Sequence, residues 1–451
     1  MLYFLLLTLI SLLFIIYIIK QGDYMAPSFL LVSGFIFSAL FSIYIANELN
    51  LKLNFDTYGF ILAGIIAFIA GDLIFSGRKS KYIFYKRSKI ETTYIFVARY
   101  KTVIFIIAGV CSLALFLIYL IQSVGYTGTW MDIMIRYRYA TAYKNQMGRI
   151  AYIPSWVAFL RFAVISCCYL WIYILINNFI ITKKIEWNLV IAIAISLINT
   201  LAGASRLDLI RIPIAAITVY YIISYRTGRL RSSVRLKLLI KVVFIAVCIL
   251  LLFSSIRGMV GRTSELSILD YLSHYIGSPI INFNSFLENP IRNTQIFGKE
   301  TFWGIYDVLG KLFKKSEYIY DYTLEFNSIN SFGLGNVYTA FRLFYADFGI
   351  YGIIILPFIQ GAIFSLFYST IKNNIHIKTN IRLFQKSLID FRVIIYATIV
   401  HSLILMFYAD WFYSQVLTWN QIKGFLVIWI IKFFLVDLDQ RNKISKNGRR
   451  Q

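Results

Sequence analysis

The chain has 451 residues, of which 59% are hydrophobic and 15% charged, with a mean hydropathy of +0.70 and a formal net charge of +24. So much apolar surface cannot be hidden in one soluble core, which excludes a soluble domain and makes the chain a polytopic membrane protein. Cys111, Cys167, Cys168 and Cys248 all fall inside apolar segments, so a disulfide framework has nothing to build on.

Crossing a hydrocarbon core takes roughly 20 apolar residues. That rule predicts about eleven helices, within a range of ten to twelve, the first six at about 2–19, 27–46, 57–76, 102–122, 154–181 and 188–204. The other five are expected at about 209–225, 238–256, 345–371, 393–409 and 418–436. The first run, Leu2 to Ile19, lacks a basic leader and a small-residue cleavage site and is read as a retained helix. The chain then divides into helices 1–8 over 1–256, a long loop over 257–344, helices 9–11 over 345–436 and a basic tail over 437–451.

Lysine and arginine in short loops set orientation. With the long loop outside, the inside segments hold 27 of the 45 Lys/Arg, including Arg226, Arg229, Arg231, Arg235, Lys237 and Lys241. The long loop itself balances eight Lys/Arg with eight Asp/Glu over 257–345. The amino terminus is therefore expected outside and the carboxyl terminus in the cytoplasm. Within the loop, helices are predicted over Ser264–Tyr275, with Thr263 as the cap, and over Phe302–Phe313. Irregular chain is expected around Pro279, Pro290 and Asn327–Gly335.

Positive charge at membrane depth is usually retained for a reason. Arg206 and Arg211 bracket the turn between the sixth and seventh spans, in Gly203-Ala204-Ser205-Arg206-Leu207-Asp208-Leu209-Ile210-Arg211. Arg257, Arg262 and Arg342 border the long loop, and the topology brings all five guanidinium groups to one outer surface. Planar forked donors in that number suit a diphosphate; the plainer reading pairs Arg206 with Asp208 or with lipid headgroups. His274, in the outside segment, is a candidate general base. No His/Cys/Asp cluster outside has metal-ligand spacing, so neither metal nor cofactor is expected.

The stretch Asn336 to Gly352, which contains Tyr338, Arg342, Tyr345 and Asp347, resembles the bacterial O-antigen polymerases, enzymes that polymerise oligosaccharide repeat units. Ser205-Arg206 and the His274-Tyr275-Ile276-Gly277-Ser278-Pro279 stretch are similar to patches of the same family. The resemblance implies an all-α, GT-C-like fold in the bacterial inner membrane, acting on undecaprenyl-diphosphate-linked donor and acceptor at the periplasmic face. It implies metal-independent glycosyl transfer, a chain-length regulator as a partner besides membrane lipids, and no nucleic acid. By that resemblance Arg206, Arg211, Arg257, Arg262 and Arg342, with Tyr338 and Tyr345, bind diphosphate or sugar, and His274 or Asp347 activates the attacking hydroxyl. An O-antigen ligase of similar fold and a lipid-linked oligosaccharide flippase are the rival readings.

Overall fold

The computed structural model describes residues 1–76, 93–125, 128–142, 152–230, 267–291, 296–318, 324–329, 332–373 and 388–438, with scattered positions between 240 and 255. In chain order the first helices are α1 (Leu2–Ile19), α2 (Pro27–Glu48), α3 (Phe55–Ser76), α4 (Arg99–Val124) and α5 (Trp130–Ala142). They are followed by α6 (Ser155–Ser166), α7 (Cys168–Thr182), α8 (Trp187–Ala202) and α9 (Asp208–Arg226). Next come α10 (Ile268–Glu288), α11 (Trp303–Phe313), the antiparallel strands β1 (Asn327–Ile329) and β2 (Phe332–Gly335), and α12 (Ala340–Phe348). The last are α13 (Ile350–Lys372), α14 (Phe391–Ile399), α15 (His401–Ile404) and α16 (Trp419–Lys432).

Among the described residues eight helices are long and apolar enough to cross a membrane, α6 and α7 together making one of them, so the protein is a helical, multi-pass membrane protein. Two shorter apolar helices, Trp187–Ala202 and Phe391–Phe407, fall where two further spans are expected. The expected span at 238–256 lies largely outside the described residues, as do Arg257, Arg262 and the Thr263 cap.

The chain forms two compact units. The first comprises Met1–Ser88, Leu266–Ile375 and Ile399–Ile422. Here α3 and α13 cross at bare backbone: a Cβ on Gly71 would fall 2.2 Å from the Phe358 carbonyl oxygen, and one on Gly361 2.2 Å from that of Phe68. The carboxylate of Asp72, inside α3, is satisfied by Lys20 Nζ at 2.8 Å and the Ser28 hydroxyl at 2.6 Å. Asp23 likewise accepts from Tyr368 at 2.9 Å and pairs with Lys372.

From Leu266 onward the stretch expected as a long loop is part of this first unit. Helix α10 starts later than expected, at Ile268 behind the Ser267 cap, and runs straight through Pro279. It packs on α2, whose Ser38 and Ser42 hydroxyls donate to the Ile276 and Gly277 carbonyls at 2.6 and 2.8 Å. Those donors serve backbone just ahead of the proline, where a helix ordinarily weakens. At its far end Asn284 accepts from Asn54 N–H and Thr57 Oγ1, both at 2.8 Å. The segment expected to be irregular at Asn327–Gly335 instead pairs as the β1–β2 hairpin, pinned to α10 by Asn282, which accepts from Asn327 at 3.0 Å and donates to Val337 at 2.8 Å.

The second unit comprises Lys89–Glu265, His376–Thr398 and Lys423–Gln451. Its helices α4, α6, α7, α8 and α9 pack around buried residues such as Trp171, on which Phe105 stacks edge-on at 5.0 Å. The short α5 lies over one end of this bundle, where its Ile133, Met134 and Tyr137 join Phe116 and Leu120 of α4, Val157 of α6 and Ala202 of α8.

Candidate functional site

In the second unit, α8 ends where Gly203 and Ala204 turn the chain, and Ala204 takes a left-handed φ of +61°. The turn carries Ser205 and Arg206, and α9 starts at Asp208, an acid in the first turn where the helix dipole favours it. Arg206 is 4% exposed and so is packed into the protein rather than displayed on it. Asp208 lies 3.5 Å from the Ser205 hydroxyl and 3.6 Å from an Arg211 guanidinium nitrogen. The pairing considered from the sequence was Arg206 with Asp208; the ion pair seen at this carboxylate is with Arg211.

A third arginine reaches the same turn from α6. Arg161 donates through Nε and Nη2 to the Asn199 carbonyl at 3.0 and 2.8 Å. That carbonyl is among the last of α8, which have no partner within the helix and form the negative end of its dipole. The guanidinium lies 4.1 Å over the Phe116 ring, and Tyr137 meets the same ring edge-on at 5.8 Å. Burial pushes the Tyr137 phenol above its ordinary value, with the charge of Arg161 pulling the other way. A Cβ at residue 203 would sit 1.8 Å from Arg161 Nη2, so the glycine leaves room for the guanidinium to reach the turn. Arg211 thus pairs with Asp208, Arg161 lies close enough to feel its charge, and Arg206 stands two residues before it in the same turn. Arg161 was absent from the sequence reading; the available signal was an arginine inside an apolar run.

In the first unit, Arg342 has the opposite surroundings. It is 2% exposed on α12, forms an ion pair with Glu300, and lies 3.5 Å from a Glu325 oxygen. Its guanidinium sits over the rings of Phe286, at 4.9 Å, and Tyr338, at 5.6 Å. The Tyr338 hydroxyl donates to the Glu325 carbonyl at 3.2 Å, and Tyr345 packs between Phe60 and Phe286. Asp347 accepts the Thr301 and Glu300 N–H groups at 2.6 and 3.3 Å, fastening that segment to α12. Burial raises the carboxyls of both Glu300 and Asp347 above the usual range. Arg342 thus meets Glu300 through Nη1 and lies beside Glu325, with Tyr338 under its guanidinium, Tyr345 packed on Phe286 and Asp347 holding two backbone N–H groups. Glu300, which the sequence reading passed over, is the acid of the cluster.

His274 lies on α10 against the hairpin. Its ring meets Phe332 at 5.8 Å and Tyr275 at 6.0 Å, and its Nδ1 is buried without a hydrogen-bond partner. Burial holds its pKa below the ordinary value, which keeps the imidazole neutral. Arg206 and Arg211 thus belong to one unit and His274, Arg342 and Asp347 to the other. Among the described residues no group of three His, Cys, Asp or Glu side chains is placed to hold a metal ion. No family model matches the sequence, no curated protein matches it, and no solved structure matches the fold.

Proposed function

We propose that the chain is a membrane glycosyltransferase of the O-antigen polymerase type, joining undecaprenyl-diphosphate-linked repeat units at the periplasmic face of a bacterial inner membrane. The reading includes eleven spans in a GT-C-like arrangement, with the amino terminus periplasmic and the carboxyl terminus cytoplasmic. The observation that carries it is the gathering of Arg161, Arg206 and Arg211 around the Gly203–Asp208 turn of a membrane-spanning unit. Arginines kept at membrane depth ordinarily mark a structural pairing or a ligand path, and an anionic ligand is the reading proposed here.

In the proposed reaction a hydroxyl of the incoming unit attacks the anomeric carbon of the growing chain. The bond from that carbon to the diphosphate oxygen breaks, and undecaprenyl diphosphate leaves with the electron pair. Negative charge accumulates on the leaving group, so fixed guanidinium groups stabilise the transition state more than the ground state. Arg211 and Arg161 meet the diphosphate from two helices, and the buried Arg206 raises the positive potential beneath it. The hydroxyl proton passes to a general base or to water at the acceptor sugar.

Deleting the gene and separating lipopolysaccharide by electrophoresis tests the reading. A band carrying a single repeat is expected, with a ladder restored by the intact chain. Complete loss of repeats would favour the ligase or flippase readings instead.

A further inference from the structure

We propose that α11 is an interfacial helix that rests its outward face on the membrane leaflet, at the boundary between headgroups and acyl chains. The inference is independent of the glycosyl-transfer reading. At about 100° per residue, Ile305, Val308, Leu309 and Leu312 share one face of this helix. That face points away from the protein: Leu312 is 70% and the adjoining Phe313 60% exposed, and Ile305 and Val308 are exposed too. The opposite side carries Gly304 and Gly310, both buried, with the half-buried Trp303, Tyr306 and Asp307. A helix of a soluble protein does the reverse, turning its apolar stripe to the core.

The place where α11 docks says what covers the outward face. A Cβ on Gly304 would meet Thr418 Cγ2 at 2.4 Å and the Ser414 carbonyl oxygen at 2.5 Å, so the helix is seated on the segment that leads into α16. Phe302, just before α11, stands perpendicular to Tyr413 of the same segment at 5.6 Å. From there α16 enters its membrane-spanning run, with Trp419 and Ile422 exposed at its start. Tryptophan at the mouth of a span marks the headgroup level. The outward face of α11 therefore adjoins the lipid-facing surface of a spanning helix.

The polar edge fits the same neighbour. Lys311, Lys314 and Lys315 close the helix and are exposed, with Lys311 also paired to Asp307 at 2.5 Å and Lys315 to Glu317 at 3.5 Å. Lysines flanking an exposed apolar stripe are the pattern of helices that lie in the plane of a bilayer, where their ammonium groups reach phosphate. A protein partner would need no such ring of flexible cations.

The test uses the full chain in nanodiscs of phosphatidylethanolamine and phosphatidylglycerol, with Cys111 and Cys248 replaced by serine. A nitroxide is attached at Leu312→Cys and, for comparison, at Glu317→Cys, and collision with oxygen and with a water-soluble nickel chelate is measured. The expected result is an oxygen-to-nickel ratio several-fold higher at 312 than at 317. Equal ratios would mean water covers the face, and low collision with both reagents would mean protein covers it; either overturns the proposal. Val308→Cys gives the same reading if the Leu312 variant fails to fold.

Discussion

Glu300 and Arg342 form an ion pair across 42 residues of chain, with Arg342 2% exposed and Glu300 also buried. The pair ties the turn before α11 to α12, and Asp347, one helical turn further on, clamps the backbone of the same turn. Burying both charges gains little over an apolar pair, but breaking the pair leaves one charge stranded.

Arg342→Leu is therefore expected to lower stability by about 3–5 kcal/mol, and the double variant Glu300→Leu/Arg342→Leu should recover much of that loss. Thermal unfolding of the purified protein in detergent gives both values. Equal losses in the single and double variants would show that the two residues act independently.

Gly203→Ala places a methyl group where Arg161 Nη2 now lies and must displace the guanidinium or open the turn. It should abolish most polymer. Gly59 offers the control: it lies inside α3 with nothing within 4 Å of its would-be Cβ, so Gly59→Ala should leave the ladder intact and stabilise by up to about 1 kcal/mol. Glycan ladders and melting curves of the two variants check this, and a normal ladder from Gly203→Ala would remove Arg161 from the site.

Charge and fork can be separated at Arg206. If its planar donors serve the site, Arg206→Lys keeps the charge but should leave almost as little polymer as Arg206→Ala at matched expression. If the arginine only anchors helix ends in the headgroup layer, lysine should do nearly as well. A normal ladder from the lysine variant would return Arg206 to a structural role.

Asp410 accepts the N–H groups of Phe412, Tyr413 and Ser414 at 3.1, 3.0 and 3.1 Å, yet complete burial pushes its carboxyl up to about 7. A carboxyl raised on folding stabilises the fold below its ordinary value, and that stability is lost as pH rises through the raised one. The melting temperature should fall between pH 5 and pH 8, and Asp410→Asn, which cannot ionise, should flatten that part of the profile. An unchanged slope in the variant would place the dependence elsewhere.

Orientation is tested with a periplasm-active reporter. A fusion after Asn289, at the end of α10, should be active, and one after Ser232, in the basic segment following α9, should be silent. The opposite pattern would put the arginine turn on the cytoplasmic side and end the periplasmic reading.

The sequence by itself determined the helical, membrane-spanning class and nearly every span that is described, because crossing hydrocarbon demands an unbroken apolar run that is visible locally in the chain. It also marked the Ser205–Asp208 turn, since arginine beside an apolar run stands out. What those charges do depends on which helices pack together. Arg161 and Asn199 are 38 residues apart and meet because α6 and α8 pack together; Arg342 faces Glu300 from 42 residues away. Helix α10 lies in the stretch expected as an outside loop and folds onto α2, whose Ser38 and Ser42 meet its carbonyls, while Asn54 and Thr57 at the start of α3 meet its Asn284. Polar residues satisfied by distant polar partners leave no periodic trace in the chain, so their burial is settled by packing alone.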